Sequence, residues 1–235
     1  MVSTKIINSK QLVGEFLGTF GMVYFCSIIA MHGDVGNLNL LGIGFANFLI
    51  LMIMVYSTYS LSGAHLNPAV TLGFMITKKM DISQGLIYII IQLIASIIAG
   101  IFLLFLSGDE LLNAAKNSSG LGFPHLNPNY SIIIGLFFEI LMTFFLVFVI
   151  WSVAIDTKIT NQLIGVAVGG VVGFNILVGG PITGAAMNPA RVFGPALIIS
   201  DFSNHWIYWI GPIIGGISAA FLYNYLLDKP INNDN

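Results

Sequence analysis

The sequence predicts an all-α membrane protein with six transmembrane helices and two re-entrant half-helices in an inverted repeat. Three observations support this fold class. Only 8% of the 235 residues are charged and 57% are apolar, whereas soluble domains carry about 25% charged residues. Six segments are long and apolar enough to cross a bilayer, which takes about 20 residues. Finally, the tripeptide Asn-Pro-Ala occurs twice, at equivalent places in the two halves of the chain.

The composition also excludes several classes of protein. The net charge of −2 and the scattered lysines exclude a nucleic-acid-binding surface, which needs clustered basic residues. A single cysteine, Cys26, excludes a disulfide scaffold and a multi-cysteine metal site, and we expect it to pack in the first span. No cofactor motif and no nucleophile–base set is evident, so we expect no cofactor, no bound metal and no enzymatic activity.

The six predicted spans are continuously apolar rather than alternating with a period of two, which favours helices over a β-barrel. They lie near Gln11–Met31, Leu40–Ser60, Gln84–Leu106, Ser131–Ala154, Ile159–Val178 and Trp206–Leu227. An even number of spans places both termini on one side, and the lysine distribution predicts that this side is cytoplasmic. The lysines assigned to it are Lys5, Lys10, Lys78, Lys79, Lys158 and Lys229, with Lys116 opposite, next to a glycosylation sequon at Asn117.

The chain contains an internal repeat. Ser62–Gly73 matches Thr183–Gly194, and Glu15 corresponds to Glu139 upstream of these segments. Each half therefore consists of two spans, an Asn-Pro-Ala segment and a third span. Because three is odd, the halves must have opposite orientations in the membrane. We expect one channel domain over residues 1–235, with repeats at about 11–107 and 131–227 and short cytoplasmic tails at 1–10 and 228–235. Inverted repeats hold their site near the membrane midplane.

Each Asn-Pro-Ala segment predicts a half-helix that begins in the membrane. Val70–Thr77 and Arg191–Ile199 are too short to cross a bilayer. Proline is favourable at the first helical position and asparagine before it is a good N-cap. The two helix N-termini would meet at the centre, where the asparagine amides would be free to donate to a solute and the positive helix ends would oppose cations. The motif residues are Asn67, Pro68, Ala69, Asn188, Pro189 and Ala190.

These motifs resemble those of the aquaporin family of major intrinsic proteins, over about residues 11–227. The resemblance is carried by Ser62–Thr71 and by Asn188–Arg191, and Asn175–Gly180 most resembles the plant vacuolar (tonoplast) subgroup. It implies a passive channel for water that excludes protons and ions, in a homotetramer in the lipid bilayer. The membrane would be the plasma membrane or a vacuole-like internal membrane.

The resemblance also implies a selectivity filter at Asn47, Ile176, Ala185 and Arg191. Strict water channels typically have Phe and His where this chain has Asn47 and Ile176, and the vacuolar subgroup usually has His at the first of these. Both changes widen the opening or alter its polarity, so we expect ammonia, hydrogen peroxide, urea or glycerol to pass as well. Val192, Ala196 and Tyr208-Trp209 follow the pattern of water-selective members instead. Asn47 has an alternative role as an interhelical hydrogen bond.

Three further polar residues lie in apolar surroundings. Glu15 and Glu139 are interpreted either as a proton relay or as acceptors for the backbone N–H groups of the re-entrant loops, and their equivalent repeat positions favour the structural role. His65 is expected to line the cytoplasmic vestibule, since one histidine without partners is no metal site. Two other functions stay open: a proton-coupled secondary transporter of a small neutral solute that titrates Glu139, and a packing or adhesion protein with a vestigial pore.

Six glycines in the last two spans predict that these helices approach their neighbours closely. These glycines are Gly169, Gly170, Gly173, Gly211, Gly215 and Gly216.

Overall fold

The computed structural model describes residues 8–116, 118–155 and 161–227. Those residues form helices and no strands, which confirms the predicted all-α class. In chain order the helices are α1 (Ser9–Asp34), α2 (Leu40–Ser62), α3 (Pro68–Ile76), α4 (Ile82–Leu106), α5 (Gly108–Lys116), α6 (Ile132–Ala154), α7 (Ile164–Thr183), α8 (Pro189–Ile199) and α9 (Ile207–Leu227). The chain termini, Lys5, Lys158, Lys229 and the sequon residue Asn117 lie outside the described residues.

Six of these helices, α1, α2, α4, α6, α7 and α9, are long and apolar enough to cross a membrane, as predicted. Five of them agree with the predicted bounds to within three residues. The fifth span differs, because α7 begins only at Ile164 and continues through Gly179-Gly180-Pro181 to Thr183. Packing outweighs the helix-breaking tendency of these residues: a side chain on Gly179 would collide with Met142 of α6. The helix stops at Gly184, which has a left-handed conformation with φ of 76°.

The short helix α5 follows the third span, in a segment for which the sequence analysis predicted no helix. Its acidic residues Asp109 and Glu110 occupy the first turn and Lys116 the last, an arrangement that suits the helix dipole. Ala115 is fully buried, and Leu111 and Leu112 pack against the same apolar cluster. The charges are visible in the sequence, but the burial of Ala115 against other segments depends on the tertiary structure.

The two short helices α3 and α8 pack crosswise between the halves. Helix α3, from the first half, lies against α9 of the second, whereas α8, from the second half, lies against α4 of the first. The long helices pair as α1 with α2 and α4, α6 with α7 and α9, and α2 with α7. Each half therefore holds the half-helix of the other, and α3 and α8 meet in the interior.

Most of the predicted glycine contacts are confirmed. A Cβ on Gly169 would lie 2.5 Å from the Phe48 carbonyl, and one on Gly211 would lie 2.7 Å from Cβ of Glu139. A Cβ on Gly173, Gly215 or Gly216 would lie 2.9, 2.2 or 3.1 Å from a backbone carbonyl oxygen of a neighbouring helix. The prediction is wrong for Gly170, which has nothing within 4 Å because it lies on the other side of α7.

Candidate functional site

A cavity of about 380 Å³ extends through the interior between the long helices and the two re-entrant loops. Part of its wall is apolar and comes from α6 and α7, including Leu146, Ile150, Val168 and Val172. Seven of the predicted site residues line this cavity. They are Asn47, His65, Asn67, Ile176, Ala185, Asn188 and Arg191. The remaining predicted residues, Pro68, Ala69, Pro189, Ala190, Glu15 and Glu139, are not among the described residues that line it.

The two Asn-Pro-Ala segments bind each other reciprocally. Asn67 caps α3, its Oδ1 accepting from the Ala69 N–H at 2.9 Å, and its Nδ2 donates to the Met187 carbonyl at 2.9 Å. Asn188 caps α8 in the same way and donates to the Leu66 carbonyl at 2.9 Å. The expectation that both amides are free is therefore only half right. Because an amide nitrogen carries two N–H groups, one on each side chain has no partner in these contacts.

Two fully buried glutamates hold the re-entrant loops from behind. Glu15 accepts from the backbone N–H groups of His65 at 2.9 Å and Leu66 at 2.8 Å, and from Ser62 Oγ at 2.7 Å. In the second half, Glu139 has the equivalent partners with the same three distances: the Ala186 and Met187 N–H groups and Thr183 Oγ1. These contacts match the structural role that the sequence analysis favoured.

The glutamates also determine where the loop carbonyls point. In a trans peptide the N–H and the preceding C=O point in opposite directions. Because the N–H groups of His65 and Leu66 face Glu15, the carbonyls of Ala64 and His65 face away from it, on the side where the loop lines the cavity. The same argument applies to the carbonyls of Ala185 and Ala186. Each loop thus presents a short row of acceptors.

This loop conformation is strained in both halves. Ala64 and Leu66 have φ values of 51° and 50°, and Ala185 and Met187 have 52° and 53°. A positive φ is uncommon for residues other than glycine and costs of order 1 kcal/mol or more. The hydrogen bonds to the glutamates offset this cost, so the strain serves to aim the carbonyls.

Arg191 lies at the edge of the cavity with its guanidinium fixed at two points. Nη1 donates to Ser27 Oγ at 2.9 Å, and Nη2 donates to the Gly122 carbonyl at 2.6 Å. The guanidinium has five N–H groups, so three donors lie outside these two bonds. Cys26 packs in the first span as expected, within a cluster that includes Met22 and Val23, and it also borders the cavity beside Arg191.

Asn47 lines the cavity from α2. Its Nδ2 donates to the Ile43 carbonyl at 2.8 Å, one turn earlier in the same helix. The observed bond is thus within α2, and the alternative interpretation, an interhelical hydrogen bond, has no counterpart among the described residues. Since the Ile43 carbonyl can only accept, the amide nitrogen must face it, and the amide oxygen has no partner among the described residues.

The polar loops around Arg191 form a second, smaller cavity of about 220 Å³. Asp34 accepts from the hydroxyls of Ser118 and Ser119, and His125 Nε2 lies 3.2 Å from Asp201 Oδ2. The backbone N–H of Ser203, with a smaller contribution from His125, holds the pKa of Asp201 below its usual value, whereas burial lowers the pKa of His205. These contacts tie the loop that carries Gly122 to α1 and to the loop after α8.

Several residues of the site were missed from the sequence. Ser27 and Gly122 fix Arg191, Asn175 donates to the Met142 carbonyl, and Ser96 donates to Ala190 and accepts from Gly194. Ser27, Ser96 and Asn175 are polar residues within apolar spans, which is itself a signal of function. Gly122 binds Arg191 through its carbonyl, and glycine is needed there because φ is 66° and a Cβ would lie 2.2 Å from the Ser27 carbonyl oxygen.

The tyrosines at the starts of the third and sixth spans are also equivalent. The hydroxyl of Tyr88 donates to the Ser62 carbonyl at 3.0 Å, and that of Tyr208 donates to the Thr183 carbonyl at 2.9 Å. Among the described residues, no group of three His, Cys, Asp or Glu is placed to hold a metal ion.

Comparisons with known proteins agree with this architecture. A family model described as Major intrinsic protein matches residues 2–223. Nodulin-26 of Glycine max is 34% identical over 229 residues, 95% of this chain and 80% of that protein. Probable aquaporin TIP3-2 of Arabidopsis thaliana is 39% identical over 240 residues, 95% of this chain and 85% of the relative. A structure of the aquaglyceroporin from Plasmodium falciparum shares the fold, with a TM-score of 0.79 at 24% identity, covering 93% of this chain and 96% of that one.

The fold, the site and these relatives together define a passive membrane channel for water and small solutes rather than an enzyme. The chain belongs to the major intrinsic protein family. Relatives titled TIP and relatives titled NIP both occur at similar identity, among them a probable aquaporin NIP-type of Nicotiana alata at 38% over 96% of this chain and 82% of the relative. The vacuolar resemblance of the second motif is compatible with these relatives.

Proposed function

We propose that this protein conducts water and small neutral solutes down their gradients and excludes protons and other ions. The observation that carries the proposal is the reciprocal pair of Asn67 and Asn188. They lie in the cavity lining at the N-termini of α3 and α8, and each keeps one amide N–H for a solute. Two positive helix ends at one point oppose any cation.

The lining then orders the solute. A water molecule at the two asparagines accepts from their N–H groups, so its own hydrogens point away from the centre towards the loop carbonyls. The apolar wall of α6 and α7 offers no competing partners, which keeps the waters in single file. The central water cannot accept a proton from its neighbour in this orientation, so proton transfer along the file is interrupted at the asparagines.

The proposed selectivity filter consists of Asn47, Ile176, Ala185 and Arg191. Arg191 supplies donors and the charge that repels cations, while Ile176 and Ala185 supply apolar surface. Asn47 is shorter than an aromatic side chain, and its amide oxygen has no partner among the residues that the structure describes. This combination of a small side chain, an acceptor and a donor supports passage of ammonia, hydrogen peroxide, urea or glycerol besides water.

Stopped-flow light scattering of proteoliposomes tests the proposal. We expect vesicles that contain the protein to shrink faster in an osmotic gradient than empty vesicles, with the low activation energy of a water-filled path and without a matching increase in proton flux. Shrinkage no faster than in empty vesicles would contradict the water channel and favour the packing or adhesion role.

The filter assignment predicts that Asn47→Phe narrows the solute range. The larger ring fills the space beside Arg191, so urea and glycerol flux should fall about tenfold or more, comparable to steric discrimination in other sites, while water flux changes less. The matched control is Asn129→Phe, an exposed asparagine in the loop before α6. Unchanged urea and glycerol flux in Asn47→Phe, in a channel that conducts them, would remove Asn47 from the filter.

A proton-coupled transporter would need a titrating carboxylate on the solute path. The described residues that line the cavity include no Asp or Glu, and the oxygens of Glu139 are occupied by three donors. Flux that saturates, follows a pH gradient and is lost in a folded Glu139→Gln variant would support the transporter instead.

The topology and assembly are part of the same proposal. Lys10, Lys78 and Lys79 are exposed beside the starts of α1 and α4, which supports cytoplasmic termini.

Large apolar side chains such as Phe105 and Phe137 are exposed on the spans, as expected for contact with lipid or with neighbouring subunits of a homotetramer. Native mass spectrometry from nanodiscs would give the number of subunits, and localisation of the tagged protein would distinguish a plasma membrane from a vacuole-like membrane.

A further inference from the structure

The two halves of the pore differ in one buried polar cluster. In the first half, Gln92 Nε2 donates to Glu15 Oε2 at 2.7 Å and to Thr71 Oγ1 at 3.1 Å, and Thr71 Oγ1 lies 3.2 Å from His65 Nδ1. All three side chains are buried. In the second half the repeat places Ala186, Val192 and Pro212 at the equivalent positions.

This asymmetry shows that the cluster is not needed to hold a re-entrant loop. Glu139 binds its loop through the same two N–H groups and one hydroxyl as Glu15, at the same distances, without any of the three. Burying polar side chains costs free energy unless their hydrogen bonds are satisfied. The first half therefore carries this cost for a reason other than the fold of the loop.

The hydrogen-bond count determines what the cluster does to His65. Thr71 Oγ1 donates its single proton to the Asn67 carbonyl at 3.0 Å. It must then act as the acceptor towards both Gln92 and His65, so the imidazole proton lies on Nδ1. In a neutral imidazole the other nitrogen is then an acceptor. The ring is clamped in place by Phe74, with centroids 4.3 Å apart, and by Tyr88 at 5.4 Å.

We propose that Thr71, braced by Gln92, is a positioning residue that fixes His65 in its Nδ1–H tautomer and makes Nε2 a constant hydrogen-bond acceptor in the pore. The side-chain hydrogen bond of His65 to the described residues runs through Nδ1, which leaves Nε2 for the cavity that His65 lines two residues before Asn67. A water that accepts from Asn67 donates to the acceptors beyond it. With Nε2 unprotonated, His65 adds a third acceptor to those formed by the Ala64 and His65 carbonyls. An Nε2–H tautomer would instead place a donor there, and the water molecules would no longer all point their hydrogens the same way. This inference rests on the proposed water channel.

Solid-state NMR of the protein in lipid bilayers, with ¹⁵N-labelled histidine, observes the tautomer directly. The sequence contains four histidines, and a His65→Gln spectrum identifies the signals of His65 by difference. We expect a protonated Nδ1 and a bare Nε2 in the wild type, a shift towards protonated Nε2 in Thr71→Val, and the wild-type signature in Thr71→Ser, which restores the hydroxyl. A protonated Nε2 in the wild type would overturn the inference, whatever the Thr71 variants show.

Water permeability of the same variants gives the functional readout. Thr71→Val should lower the water permeability about three- to tenfold, as expected for the loss of one hydrogen bond, and Thr71→Ser should restore it. Thr19→Val is the matched control, because Thr19 is a buried threonine whose hydroxyl has no hydrogen-bond partner in the described part of the chain. Equal permeability in Thr71→Val and wild type would overturn the positioning role. If the wild type itself conducts no water while the Nδ1–H signature is present, the proposed function fails and the tautomer assignment stands.

Discussion

Replacing Glu139 by leucine is expected to prevent the channel from folding. The carboxylate accepts from Thr183 Oγ1 and from the Ala186 and Met187 N–H groups, and a leucine leaves all three donors buried and unpaired. At about 1–3 kcal/mol for each unsatisfied donor, the total cost is about 3–9 kcal/mol. That is comparable to the whole stability of a typical domain, about 5–15 kcal/mol.

The measurement is the yield of monodisperse protein after detergent extraction and its thermal unfolding. Glu110→Leu is the matched control, since Glu110 is exposed on α5. Glu139→Gln should be intermediate, because its amide keeps one acceptor oxygen but points an NH₂ group at a donor. A Glu139→Leu protein with wild-type yield and melting temperature would show that the loop is held by other contacts.

Replacing Arg191 by valine is expected to let cations and protons through while water still passes. Arg191 is 8% exposed, and its guanidinium, fixed by Ser27 and Gly122, puts a full positive charge at the cavity wall. A cation about 5 Å away at an effective dielectric constant of about 20 is opposed by about 3 kcal/mol, so its removal should raise cation leak by about 100-fold.

Proton and potassium flux into proteoliposomes, measured beside water flux, checks this result. Arg191→Lys is the control that keeps the charge but cannot reach Ser27 and Gly122 with one planar fork. It should retain most of the ion exclusion and lose order in the loop that carries Gly122. Ion leak in Arg191→Val no greater than in the wild type would assign the exclusion to the two helix N-termini alone.

The sequence predicted most of the fold because membrane spans are determined by local composition. Twenty apolar residues in a row have few alternatives in a bilayer, so six spans were found, five of them with nearly correct bounds. The short helices also followed from local chemistry, since proline at N1 and asparagine at the N-cap specify a helix start. The missed helix α5 and the late end of α7 at Thr183 depend on packing against other segments, and local composition does not report that packing.

Some features of the candidate site could likewise be predicted from the sequence, and others could not. The repeat in the sequence identified the paired asparagines and glutamates, because both are duplicated at fixed spacing. It did not show that each asparagine amide donates one N–H to the opposite loop, nor that Asn47 turns its nitrogen to Ile43. It gave no sign of the chain from Glu15 through Gln92 and Thr71 to His65, whose members come from three helices and a loop.

By itself, then, the sequence determined the membrane class, the number of spans, the duplicated motifs and the family resemblance, because these depend on residue type and spacing along one chain. The tertiary structure alone decided which polar atoms remain unpaired in the cavity. Hydrogen bonds between residues as far apart as Asn67 and Met187, or Arg191 and Ser27, use up some donors and acceptors and leave others for the solute. Which polar atoms are paired and which remain for the solute depends on distances between residues that are remote in the sequence, and the order of residue types along the chain does not specify those distances.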